Sequence, residues 1–167
     1  MALLAGACSA GIIGLPGFAT AEVLVGGERW PVAVADDAAA RARGLMGVVD
    51  LGGLRGMLFV FPGDVRAGFW MKDTLLTLEV AFFAADGSLV DLLAMEPCPA
   101  EPCPVYEPGG PYRYALEVPA GDFAGVEDLR LDPASIPGGG RTRMSATVRA
   151  CLGGGPLPHF REPRAAR

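Results

Sequence analysis

Three features of the chain predict a mainly β fold, namely a compact antiparallel β-barrel or jelly-roll-like sandwich with one or two short helices. Short apolar or alternating runs recur along its length, and 24 Gly and 15 Pro punctuate them as turns. Strands do not alternate regularly with long helical segments, so a parallel sheet is not expected. The 167 residues suit a single domain, and 51% hydrophobic residues are enough for a substantial core.

The organising stretch is Met57–Ala84, which holds five of the eight Phe and one of the two Trp. Ahead of it, Glu22–Val25 and Arg29–Ala35 flank Gly26-Gly27 as a hairpin. Asp36 opens a helical run, DDAAARARGLMG, with acids at its start and Gly47 as its stop. Met57–Phe61 is a short apolar strand, Pro62-Gly63-Asp64 a turn, and Ala67–Asp73 the next strand. There, Phe69 and Met71 face one way and Trp70 and Lys72 the other. Leu75–Ala84 and Ser88–Met95 pair across the Asp86-Gly87 turn. A proline-rich loop, Glu96–Pro111, leads to a strand at Tyr112–Val118 that sets Tyr112, Tyr114 and Leu116 on one side. Ala120–Asp128 reads as a short helix, and Arg143–Leu152 as a last strand before a frayed end.

The ends differ from the body. Residues 1–21 carry no charge and finish in Ala19-Thr20-Ala21, the pattern of a secretory signal cleaved before Glu22, although a basic leader is missing. An uncleaved anchor and a buried first helix are the competing readings. The expected organisation is a signal at 1–21, one β-rich domain at 22–131 and an extension at 132–167, in a periplasmic or secreted protein. Residues 22–131 hold 8 Lys+Arg against 17 Asp+Glu, net −9, and residues 132–167 hold 6 against 2, net +4. An acidic body speaks against nucleic acid as a partner. No transmembrane span is expected in the mature, monomeric form.

Five segments, RARGLMG (41–47), GMLFVFP (56–62), FWMKDT (69–74), LEVAFFAADG (78–87) and MEPCPAEPCPVYEPGGPYRYALEVPAG (95–121), occur in an order that resembles domain-of-unknown-function family 192. The resemblance covers most of residues 22–125. It implies a small, mainly antiparallel β fold, usually exported, with no assigned activity and therefore no catalytic residues to transfer. The family's motif usually reads FWMKNT, and Asp73 stands at its Asn position. Glu79 stands where the family usually has Asp.

Candidate site residues cluster around the centre. Trp70 offers a stacking platform, and Lys72, Asp73 and Glu79 could orient a ligand or move protons. Tyr106 could be presented by the stiff proline-rich loop. The bland readings are a rim aromatic and an ion pair closing a turn. Cys98 and Cys103 are expected to pair as a disulfide, since CPAEPC lacks both redox and zinc spacing. Cys151 would be left over. Met46, Met57, Met71 and Met95 invite a copper reading but sit in apolar runs where core packing is their ordinary role. The only His, His159, lies in the tail. No metal or cofactor is therefore expected, and no phosphate loop, nucleophile elbow or metalloprotease motif is present. The first functional expectation is an exported domain that binds an envelope ligand or protein without performing chemistry. The alternatives are an envelope carbohydrate- or peptide-acting enzyme using Lys72, Asp73 and Glu79, and copper or redox handling by Met and Cys.

Overall fold

The computed structural model describes residues 14–137, and the expected strand at 143–152, Cys8, Cys151 and His159 lie outside them. The chain is mainly β. β1 (Ala19–Val25) and β2 (Glu28–Ala35) form the expected hairpin. The chain then runs through α1 (Ala38–Arg43) into β3 (Gly56–Val65), which lies parallel to β2. After β4 (Phe69–Trp70) come the antiparallel pair β5 (Leu78–Phe83) and β6 (Leu89–Met95). Short β7 (Val105–Tyr106) pairs with β4 as a separate ribbon. β8 (Tyr112–Pro119) inserts between β3 and β5. One mixed six-stranded sheet results, in the order β1-β2-β3-β8-β5-β6. Its edges, β1 and β6, are not paired to each other among the described residues, so the expected closed barrel is not found, and the β4–β7 ribbon is a second, two-stranded sheet.

Four local expectations are corrected. A parallel pair does exist, because β2, α1 and β3 form one crossover unit. Asp37 rather than Asp36 caps α1, accepting from the Ala40 amide at 2.8 Å, and the helix stops at Gly44 (φ 49°), well before Gly47. Pro62-Gly63-Asp64 is part of β3 rather than a turn; the register against β8 slips there, between Val60 and Val65. Ala120–Asp128 is not a helix: its amides bond three residues back in successive turns, from Asp122 to Pro119, Ala124 to Gly121 and Val126 to Phe123.

Both faces of the sheet are covered, which explains why its central strands are apolar without interruption. On the first face Ala33, Met57, Phe59, Val80, Phe82 and Ala115 pack beneath α1, the 44–54 loop and the β4–β7 ribbon. On the second, Val32, Leu58, Ala81, Phe83, Leu116 and Val118 pack beneath residues 120–136. There Phe123 stacks on Trp30, with ring centroids 5.7 Å apart. Tyr112 and Tyr114 share parity in sequence yet serve opposite faces, because of the slip between β3 and β8. The final described segment straps β1: the Asp132 amide donates to the Leu24 carbonyl and the Leu24 amide to Ser135 Oγ, both at 2.9 Å.

Candidate functional site

The first face is not filled. Between α1, the 66–70 segment and strands β3 and β8 lies a cavity of about 290 Å³. Its wall is aromatic. Phe59 meets Phe69 edge-on at 5.0 Å, and Phe61 meets Tyr112 edge-on at 5.3 Å. Such contacts fix ring orientations as well as burying area. Tyr112 is fully buried and its hydroxyl donates to the Ala67 carbonyl at 2.7 Å, while burial pushes the phenol up to about 12. Trp70, 49% exposed, stands at the mouth.

Glu117 lies at the deep end of this cavity. It sits in the middle of β8, opposite Met57 of β3 and Val80 of β5, and is only 5% exposed. No protein group donates a hydrogen bond to its carboxyl among the described residues, and burial alone pushes it up to about 8. Buried carboxyls without a partner are rare, because the charged form loses its hydration and gains nothing. One that persists in a cavity is a candidate for a functional place. Thr74, 6% exposed, is the other buried polar side chain lining the space.

Two arginines of α1 complete the lining. Arg41 Nη1 donates to the carbonyls of Asp36 (2.7 Å) and Val60 (2.9 Å), and its guanidinium lies 5.1 Å from the Phe61 ring centroid. The Arg43 guanidinium lies 4.8 Å from the ring centroid of Phe18. Among the described residues neither has a carboxylate partner, whereas Arg29, Arg55, Lys72 and Arg113 each do.

The residues singled out from the sequence are partly assembled here. Trp70 reaches the cavity. Lys72 lies just past β4, bridged to Cys98, with Nζ 5.7 Å from the Trp70 ring centroid, but its ammonium is paired with Glu101, which raises Lys72 and lowers Glu101. Asp73 adopts φ 54°, and its carbonyl accepts from the Gly47 amide at 2.8 Å. That left-handed conformation suits Asn and Asp among residues with side chains. Glu79 has the parity of Ala81 and Phe83, on the second face of the sheet, and its Oε2 is buried without a partner among the described residues. Lys72, Asp73 and Glu79 therefore do not converge on one point. The Tyr106 hydroxyl accepts from the Glu96 amide at 3.1 Å and ties β7 to the end of β6. Cys98 and Cys103 are bonded through sulfur, with Cα atoms 5.7 Å apart, in the loop that carries Glu101. Among the described residues no group of three or more His, Cys, Asp or Glu could hold a metal, and no helix is long and apolar enough to cross a membrane.

Glu117, Arg41 and Arg43 were not among the sequence candidates. Regular alternation along β8 groups Glu117 with Arg113, as if both faced solvent. The available signal was a lone carboxylate between Leu116 and Val118 in a strand flanked by apolar runs.

Comparison with known proteins agrees with this architecture. No curated protein matches the chain. A structure from Sinorhizobium meliloti 1021, named as a candidate transcription regulator, superposes with a TM-score of 0.61 at 30% identity, covering 74% of this chain and 100% of that one. A protein of unknown function from Novosphingobium aromaticivorans DSM 12444 superposes with a TM-score of 0.58 at 23% identity, covering 74% of this chain and 92% of its own. Residues 21–128 match the uncharacterised ACR family, and the chain thus belongs to domain-of-unknown-function family 192.

Proposed function

We propose that this is an exported domain whose work is to bind a small molecule in the aromatic cavity over Glu117. The observation that carries the reading is the carboxyl of Glu117, a residue only 5% exposed, which lines a preformed space and accepts no hydrogen bond from any described residue. A cavity of about 290 Å³ suits a compact ligand with a flat or apolar body and one polar head. Rigid aromatic walls bury such a body at little entropic cost. Trp70 serves as the outer wall, and Lys72, held by Glu101, supports it from the side. The acidic body, net −9 over residues 22–131, favours a small molecule over nucleic acid, even though one structural relative is named as a candidate regulator of transcription.

A ligand-observed NMR fragment screen on the wild type and on an Ala42→Trp variant tests this. Ala42 is exposed on α1 at the cavity lining, so an indole there obstructs the mouth without entering the core. Fragments should bind the wild type and be displaced or lost in the variant, with the thermal midpoint of the apo proteins similar. Absence of any hit, or hits that bind both proteins equally, would sink the reading.

A further inference from the structure

The polar groups of the cavity are arranged by depth and by sign. The deep carboxyl of Glu117 belongs to β8, at 5% exposure. Both guanidiniums belong to α1, where Arg41 is half-buried and Arg43 exposed. Between the two ends the lining is aromatic, from Phe59 and Phe61 to Trp70. Resting on the small-molecule reading above, we infer that the ligand is amphoteric: an ammonium end seated against Glu117, a flat or cyclic apolar middle, and a carboxylate or phosphate end held by Arg41 and Arg43.

Each part follows from the chemistry of the residues. Phenyl and indole faces attract cations, so an ammonium loses less on entering this cavity than on entering an aliphatic one. Glu117 has no donor among the described residues, and a ligand N–H is the natural supply. The cationic form outcompetes a neutral amine or alcohol because it also neutralises the carboxylate, the only acidic side chain among the described residues that line the cavity. The other charged groups facing the space are Arg41 and Arg43, with Tyr112 and Thr74 as neutral hydroxyls, so no second acid competes for the ammonium. At the mouth, Arg41 is oriented by the Asp36 and Val60 carbonyls and by Phe61, which holds its guanidinium in place without spending its charge on a carboxylate. Arg43, two residues on along α1, lies over Phe18 and also lines the cavity, so this end of the lining is locally cationic in an otherwise acidic domain.

The inference includes a proton balance. Free Glu117 is largely protonated at neutral pH, its carboxyl having been pushed up to about 8. Seating an ammonium favours the carboxylate, so binding transfers the Glu117 proton to solvent. A neutral ligand hydrogen-bonded to the acid releases none.

Titration calorimetry at pH 6.5 in two buffers of different ionisation enthalpy tests the inference with four probes: 4-(aminomethyl)benzoate, benzylamine, 4-methylbenzoate and 4-methylbenzyl alcohol. The expected order is the zwitterion first, at least tenfold tighter than benzylamine, with close to one proton released for both amines and none for the alcohol. Glu117→Gln should weaken both amines tenfold or more while leaving the alcohol within a factor of two to three. Arg43→Ala should erase the zwitterion's advantage over benzylamine and leave benzylamine itself unchanged. Binding of the alcohol as tight as that of the zwitterion, with no proton release, overturns the amphoteric class while preserving a small-molecule cavity. Binding of none of the four by a protein whose fragment hits are lost in the Ala42→Trp variant likewise overturns the class alone. Failure of both experiments removes the cavity reading with it.

Discussion

Glu117 shows how a single side chain can set the pH response of the whole molecule. Below the ordinary carboxylate range both folded and unfolded chains hold the proton, and the residue contributes no pH dependence. Between about 4.5 and about 8 the unfolded chain gives up a proton that the native state retains, so stability falls as pH rises; above about 8 the loss is complete. Full desolvation makes that loss on the order of 5 kcal/mol. Urea unfolding of the wild type at pH 5 and pH 9 should show it, and Glu117→Gln should flatten the profile and be the more stable protein at pH 9. An unchanged profile in the variant would show that other groups set the dependence. Asp73 is a backbone matter by comparison. Its φ of 54° predicts that Asp73→Asn, which restores the family's usual residue, is neutral. Asp73→Val, with a branched β-carbon, should cost about 1–2 kcal/mol in the same unfolding assay.

Elements were legible in proportion to how local their determinants are. The β1–β2 hairpin, the Asp86-Gly87 turn and the β6 and β8 strands follow from turn chemistry and alternation, and the structure places β2, β6 and β8 within a residue of the reading, while β1 starts three residues earlier, at Ala19. The parallel β2–β3 pair was hidden because α1 is only six residues long, too short to announce a crossover. The cavity was hidden because it depends on register: only the slip between Val60 and Val65 brings Tyr112 to the face that Glu117 shares. Gly56 matters to the same joint. A β-carbon there would fall on the carbonyl oxygen of Glu117, so the β3 and β8 backbones approach only because it is absent. Gly56→Ala should cost roughly 2 kcal/mol or more by chemical denaturation and should weaken any cavity ligand as well, because Glu117 moves with its backbone. By contrast, the Cys98–Cys103 bond closes a small loop away from this joint. Replacing both cysteines by serine should lower stability by about 2 kcal/mol at most and leave the fold intact, as judged by circular dichroism and thermal melting.

At the scale of the molecule, the described fold begins before the expected mature terminus and continues past residue 131. Ala19, Thr20 and Ala21 pair with Val34, Ala33 and Val32, and Leu15 is buried at 7% exposure against the first face. Export with cleavage before Glu22 would therefore remove three pairs of β1 and one core side chain. A chain starting at Glu22 should still fold, since four β1–β2 pairs remain, but with a thermal midpoint several degrees below that of one starting at Gly14. Equal midpoints would mean that residues 14–21 contribute nothing to the fold. N-terminal sequencing of protein recovered from its native compartment then reports which of the two the cell makes.

The strap over β1 has a consequence for timing. Leu24 acquires its bonds to Asp132 and Ser135 only when the chain has been made almost to the end of the described fold, more than a hundred residues after β1 itself. β8, which joins the two halves of the sheet, also comes late. A nascent chain halted before residue 112 holds the three strands β1, β2 and β3 and the β5–β6 hairpin with no strand to unite them, and exposes apolar surface on both. The order of synthesis thus leaves the six-stranded sheet unjoined until nearly all of the described fold has been made.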